Sequence, residues 1–314
     1  MPRIVVSRNL PESALRALRE SGADVWVSPE DRALSAEELH DAVRGADAIV
    51  TLLHDRVDDA LLDAAGDQLR VVANVAVGYD NVDLDAARSH GVTITNTPGV
   101  LTDATADLAM TLILAITRRI GEGERRIRSG EPWAWSIDFM LGRDLRGKTL
   151  GIIGYGAIGR AVAERSRAFG MDVIFADSFY TGSDPGGVEL DELLERAHVV
   201  SVHCPLTPET RHLIDASALA RMRDDAYLVN SARGPIVDEA ALAAALRDGV
   251  IAGAALDVFE NEPEVHPDLV GLDNAVLVPH LGSATVETRT AMAELAAANV
   301  IAVLAGEEPP TRVV

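Results

Sequence analysis

Three segments in the C-terminal half of the 314-residue sequence place charged or titratable groups just beyond apolar, strand-like runs. "LVNSARGPIVDE" carries Arg233, "AALDVFENEPE" carries Asp257 and Glu262, and "VLVPHLGSAT" carries His280. Each has an ordinary reading. A lone arginine is usually solvated or ion-paired, and the acids of "ENEPE" suit an exposed turn. Of the eight histidines, His40, His90, His198, His212 and His266 sit in polar or helical contexts, while His54 and His203 lie nearer strand ends. Chemistry gives the reason to group Arg233, Glu262 and His280. A guanidinium holds a carboxylate through a planar fork. A protonated imidazole donates to a carbonyl oxygen that is gaining negative charge. A carboxylate behind the ring orients it and favours its protonated form. The three together suit reduction of a 2-oxo acid, whose carbonyl carbon takes a hydride.

A source for that hydride is written in "TLGIIGYGAIGRAVAERSRAFGMDVIFAD", residues 149–177. Gly154, Gly156 and Gly159 form G-x-G-x-x-G. The first glycine allows a tight turn, the second lets backbone approach a pyrophosphate, and the third lets helix and strand pack closely. A helix beginning at Ala157 directs its first N–H groups at the phosphates. The glycine spacing alone is a weak signal. A strand before it, a helix after it and a second strand ending in Asp177 make it specific. A carboxylate at 177 accepts from ribose hydroxyls and repels a 2′-phosphate. No Lys or Arg lies between Ser178 and Val188 to receive such a phosphate. The expected cofactor is therefore NAD(H) rather than NADP(H). The plain alternative for Asp177 is a solvated aspartate at a strand end.

These groups need a scaffold. The first hundred residues alternate β-rich runs ("RIVVS", "DVWV", "DAIVT", "LRVVANVA", "VTITN") with short helical patterns. Among the helices, "PESALRALRES" has proline in its first turn, and "SAEELHDAVRG" opens with a capping box from Ser35 to Glu38. Such alternation predicts a parallel sheet covered on both faces, here without a phosphate-binding glycine loop. Residues 102–119 form a helix that is apolar nearly all round and needs burial on several sides, in an interdomain or intersubunit position. A second α/β series starts at Thr149, and Arg233, Asp257 and His280 fall at the carboxyl ends of its strands, where open parallel sheets bind ligands. The last helix, 286–304, caps this series or crosses back to the first. The end, "EEPPTRVV", reads as a proline-bearing tail.

Composition narrows the classes. The net charge of −21 repels phosphate backbones and anionic lipid, so nucleic-acid and membrane-surface partners are disfavoured. Cys204 is the only cysteine, which excludes an intrachain disulfide and a cysteine-based metal cluster; no metal is expected. The N-terminus does not read as a secretory signal, and the longest apolar run, 108–117, is too short to span a bilayer. A cytoplasmic location is the expectation.

Over almost its whole length the sequence resembles the D-isomer-specific 2-hydroxyacid dehydrogenases. It is most similar to their glyoxylate/hydroxypyruvate reductase branch, through "NVAVGYDNVDLDAA", "VTITNTPGVLTDATADLAM" and "PHLGSAT". The resemblance implies that Arg233, Glu262 and His280 are catalytic and that Asp257 meets the nicotinamide carboxamide. It implies a backbone loop for the substrate carboxylate at Val77 and Gly78. It implies further cofactor contacts at Thr105, Ala157, Ile158, Cys204, Thr210 and Ala232. The implied fold is α/β with two doubly wound parallel-sheet domains. A Rossmann cofactor domain, 101–286, is inserted into a flavodoxin-like substrate domain, 1–100 and 287–314. Two crossing helices, near Thr102 and Val286, join them, the first forming much of a homodimer contact. The implied activity is NADH-dependent reduction of glyoxylate or hydroxypyruvate to the D-2-hydroxy acid. The alternatives are another D-2-hydroxyacid, phosphoglycerate or phosphite dehydrogenase, or an NAD-sensing corepressor-like binding protein. The absence of a regulatory domain after Val314 points away from the longer phosphoglycerate dehydrogenases. Glu262, and the lack of Gln before His280, point away from formate dehydrogenase. Val77 stands where phosphite dehydrogenases carry lysine. Asp177 departs from archaeal-type glyoxylate reductases that place basic residues there and use NADPH.

Overall fold

The β-branched runs of the N-terminal third become five parallel strands: β1 (Arg3–Val6), β2 (Asp24–Val27), β3 (Ala48–Thr51), β4 (Val71–Asn74) and β5 (Thr93–Thr95). The structure is a computed structural model and describes residues 1–178, 180 and 184–314. The strands lie in the order β2-β1-β3-β4-β5, the flavodoxin-like arrangement. Every residue of β3 and β4 is buried, because helices cover both faces. The connecting helices are α1 (Glu12–Glu20), α2 (Ala36–Val43), α3 (Asp59–Ala65) and α4 (Leu84–His90). The capping box of α2 is present: Ser35 Oγ accepts the Glu38 N–H at 3.2 Å, and Glu38 Oε2 accepts the Ser35 N–H at 2.8 Å. Pro11 lies at the N-cap of α1 and not inside its first turn.

The second unit holds six parallel strands: β6 (Thr149–Ile153), β7 (Asp172–Ala176), β8 (Val199–Val202), β9 (Tyr227–Asn230), β10 (Gly253–Leu256) and β11 (Ala275–Leu277). Its helices are α5 (Thr102–Thr117), α6 (Ile120–Ser129), α7 (Ala157–Ala168), α8 (Leu190–Arg196), α9 (Ala216–Arg221), α10 (Glu239–Arg247) and α11 (Pro267–Val270). The order β11-β10-β9-β8-β6-β7 reverses direction at β6, so the crevice between the ends of β6 and β8 is the switch point of a doubly wound sheet.

The cover of α5 differs from the expectation. Ala106, Ala109, Met110, Leu112, Ile113 and Ile116 pack within their own unit against Leu150, Ile152, Val162, Val229 and Ala255. Outside them runs a polar stripe in which Asp103 and Asp107 pair with Arg165 of α7 at 2.9 and 2.6 Å. Alanine and threonine made this helix look apolar on every side, yet one unit suffices to bury its hydrophobic face. The helix also stops at Thr117, and Arg119, with φ of 55°, starts a new one. Six large apolar groups of the next stretch are exposed: Ile120, Ile127, Trp133, Trp135, Ile137 and Leu141.

The chain divides into two compact units, Met1–Leu101 with Ala284–Val314, and Thr102–Ser283. The final helix, α12 (Val286–Ala305), therefore returns to the first sheet, where it packs on α1 and β4. At 20 residues and a mean hydropathy of 1.2 it has the length and composition to cross a bilayer. Its packing is that of a core helix, with Ala293, Ala296, Ala297 and Val300 buried and Asn299 donating to Thr311 Oγ1 at 2.8 Å. The proline-bearing tail pairs with β5: the Ile94 N–H donates to the Val314 carbonyl at 3.0 Å and the Val313 N–H to the Ile94 carbonyl at 2.8 Å.

Candidate active site

The glycine turn leaves β6 at the switch point. Gly154 has φ of 91°, and a Cβ there would lie 2.4 Å from the Cys204 nitrogen. A Cβ on Gly159 would lie 2.2 Å from the Gly154 carbonyl oxygen. Gly156 is different, since a Cβ would meet nothing within 4 Å. Gly156 and Ala157 are exposed, Ile158 is half-buried, and no side chain among the described residues caps the N-terminus of α7. Two glycines are thus required by the protein's own packing. The third opens a concavity over uncapped helix N–H donors, which fits a dinucleotide pyrophosphate. Asp177 follows β7, and its Oδ2 accepts the Tyr155 N–H at 2.7 Å, tying the acid to the turn. Cys204 follows β8 against Gly154, and burial pushes its thiol up to about 11. Thr210 Oγ1 donates to the Pro205 carbonyl at 2.7 Å and closes the loop beyond. Of the 178–188 segment, where no basic partner is expected, residues 179 and 181–183 lie outside the described residues.

The Arg, Asp, Glu and His groups stand at the ends of β9, β10 and β11. Arg233 precedes a short 3-10 turn, Gly234–Ile236. Fully buried Asn230 clamps its loop, accepting the Ala232 N–H at 3.0 Å and donating to the Arg233 carbonyl at 2.9 Å. His280 has φ of 51°, a left-handed conformation uncommon for histidine. Asp257 holds it there. The Asp257 carbonyl accepts the His280 N–H at 2.8 Å, and its carboxylate accepts the N–H groups of Leu281 and Gly282 at 2.5 and 2.9 Å. Asp257 is fully buried, and burial raises its carboxyl above the usual range. In this structure its carboxylate orders the His280 loop, so a carboxamide contact would have to share those oxygens. Thr105 lies beneath the same loop, its Cγ2 3.5 Å from where a Gly282 Cβ would stand.

His280 Nδ1 lies 2.8 Å from Glu262 Oε2, while Glu262 Oε1 accepts the Phe259 N–H at 3.0 Å. A carboxylate only accepts, so Nδ1 carries hydrogen and Nε2 is the ring nitrogen available to a reacting group.

Val77 and Gly78 follow β4 in the first unit. Asn96 Nδ2 donates to the Val77 carbonyl at 2.9 Å and Asn74 Nδ2 to the Gly78 carbonyl at 3.0 Å. Both carbonyls are held from behind, and neither N–H makes a hydrogen bond among the described residues. Asn74 and Asn96 were not singled out from sequence. An asparagine at a strand end reads as a turn former, and nothing local marks the carbonyl it will reach.

A glycine turn at the switch point and an imidazole–carboxylate pair at neighbouring strand ends define a dinucleotide-dependent oxidoreductase. The family model of the D-isomer specific 2-hydroxyacid dehydrogenase NAD binding domain matches residues 110–282. A glyoxylate reductase of Thermococcus onnurineus (strain NA1) is 47% identical over 322 aligned residues, 99% of this chain and 96% of the relative. A crystal structure of a Thermus thermophilus protein superposes with a TM-score of 0.94 at 46% identity, over 99% of this chain and 100% of that one. The NADPH-dependent glyoxylate/hydroxypyruvate reductase of Sinorhizobium meliloti, solved with NADP and malonate, gives 0.85 at 34% identity, over 100% and 97%. The chain belongs to the D-isomer specific 2-hydroxyacid dehydrogenase family.

Proposed function

We propose that the chain reduces a small 2-oxo acid, glyoxylate or hydroxypyruvate, to the D-2-hydroxy acid with NADH. The 2.8 Å pairing of His280 Nδ1 with Glu262 carries this reading, because it leaves Nε2 to serve as the acid. When bound, the reduced nicotinamide supplies the hydride. The N–H groups of Val77 and Gly78 take the substrate carboxylate, and Arg233 binds carboxylate and carbonyl through its planar fork. As negative charge grows on the carbonyl oxygen, His280 gives it the Nε2 proton, and Glu262 steadies the imidazolium beforehand. Asp177 favours NADH by accepting from the ribose hydroxyls and repelling a 2′-phosphate.

A homodimer fits the exposed apolar groups between Ile120 and Leu141. Trp135 and Ile137 are 78% and 82% exposed, more apolar surface than a monomer usually leaves in one short segment. Light scattering should show about twice the 33.3 kDa chain mass. The activity is tested by loss of NADH absorbance with a panel of 2-oxo acids. Turnover of glyoxylate or hydroxypyruvate is the expected result, and no turnover with any member of the panel would overturn the reading.

A further inference from the structure

Glu239 opens α10 directly after its N-cap, Asp238, a position where an acid ordinarily faces water. Here it is turned inward and is only 3% exposed. Its Oε1 accepts the Glu260 N–H at 2.7 Å, and its own N–H donates to Glu260 Oε2 at 3.3 Å. Glu260 Oε1 in turn meets His212 Nε2 at 2.6 Å. Desolvation raises the Glu239 carboxyl above its usual range, helped by the charge of Glu260, while the Glu260 N–H bond and His266 act the other way. Burying an acid at this cost needs a return, and the Phe259–Glu260 peptide that it holds supplies one.

Two candidate groups lean on that peptide and on the one before it. On one side lies the turn that carries Arg233. A Cβ on Gly234 would lie 1.9 Å from the Phe259 carbonyl carbon and 2.4 Å from the Glu260 nitrogen, so the two backbones touch. On the other side, the Phe259 N–H donates to Glu262 Oε1 at 3.0 Å, leaving Oε2 for His280. The same short stretch thus seats the arginine turn and aims the carboxylate behind the imidazole.

We propose that Glu239 is a positioning residue: by gripping the Phe259–Glu260 peptide it sets Glu262 against His280 and seats the turn of Arg233. The inference rests on the roles given above to those three residues. What matters is an acceptor at Oε1 with the full reach of a glutamate side chain, and not the negative charge.

The test compares Glu239→Ala, Glu239→Asp and Glu239→Gln in the full chain. The readouts are kcat and KM for the oxo acid, NADH affinity by fluorescence, and the His280 tautomer by 15N NMR. In Glu239→Ala, kcat should fall about tenfold or more, because a small misplacement of a reacting group is costly. NADH affinity should stay within about twofold, since the glycine turn is untouched. The single Nδ1–H tautomer of His280 should give way to a mixture. Glu239→Gln keeps the acceptor and should restore both kcat and tautomer. Glu239→Asp is one methylene short and should resemble Glu239→Ala, which keeps the test decisive should the alanine variant not fold. A wild-type tautomer in the Ala or Asp variant, with or without loss of kcat, would overturn the proposal. The NMR readout needs no turnover. Failure of the wild-type protein to oxidise NADH with any oxo acid would therefore count against the proposed reaction, separately from this positioning role.

Discussion

His280 Nδ1 and Glu262 Oε2 stand 2.8 Å apart across 18 residues of sequence, and each is pinned from behind, the histidine by Asp257 and the glutamate by the Phe259 N–H. The pairing predicts the cost of removing the carboxylate charge. Glu262→Gln keeps an acceptor for Nδ1 but no longer offers a counter-charge to the imidazolium that donates to the carbonyl oxygen. kcat should fall about tenfold, equivalent to ~1.4 kcal/mol, with KM for the oxo acid little changed. A glutamine variant with wild-type kcat, where chemistry is shown to be rate-limiting, would break the proposed pairing.

Asp177 also holds the Tyr155 N–H, so its alanine variant would damage the turn as well as the selectivity. Asp177→Asn is the cleaner change, because an amide oxygen still accepts that bond. The wild-type enzyme should prefer NADH over NADPH by about tenfold or more in kcat/KM, at least ~1.4 kcal/mol. The asparagine variant should narrow that ratio towards unity by removing repulsion. Equal use of the two cofactors by the wild type would rule out the reading of Asp177.

Asn96 meets the loop proposed to take the substrate carboxylate through the Val77 carbonyl. Asn96→Ala releases the Val77 carbonyl and lets the loop turn its amides away. KM for the oxo acid should rise about fivefold or more, in line with the ~1 kcal/mol of a lost hydrogen bond, while KM for NADH is unchanged. Steady-state kinetics with each substrate varied in turn distinguish this from a general loss of folding.

His203, beside Cys204, supplies a stability signature. Desolvation holds its imidazole down to about 4, against an ordinary 6.5. The unfolded chain therefore takes up the proton first. The contribution is whole above pH 6.5 and declines as the pH falls towards 4, by up to about 3 kcal/mol. Urea unfolding at pH 7 and pH 4.5 should show this loss. His203→Gln, whose terminal amide reaches the Nε2 position and can still bond Ser201 but does not titrate, should flatten the slope in that window.

Much of the scaffold was legible because it is local. A strand, a glycine turn, a helix and an acid follow one another within residues 149–177, and the Ser35 capping box spans four residues. Sequence also put Arg233, Asp257 and His280 just past strands, since each ends a β-branched or apolar run. What stayed hidden was the partner of each polar group. Glu239 reaches the Glu260 amide across 21 positions and Asn96 the Val77 carbonyl across 19, and neither residue type announces such a target. The cover of α5 was misread for a related reason. Periodicity shows that a face must be buried, but not which neighbour buries it. The C-terminal tail gave no strand signal, because its pairing with β5 depends on residues more than 200 positions earlier.

The return of the chain to its first sheet sets an order on synthesis. Strands β3 and β4 are complete by residue 74, but α12, which packs on both, begins only at Val286. A ribosome-bound chain therefore carries an unfinished first unit, with β3 and β4 bare on the side that α12 will cover, through translation of the whole 102–283 unit. That unit contains every strand of its own sheet and is free to fold as it emerges. At a typical ~5–20 residues per second, the interval lasts roughly ten seconds to half a minute or more. During it, the bare face of β3 and β4 is the part of the nascent chain most in need of a chaperone.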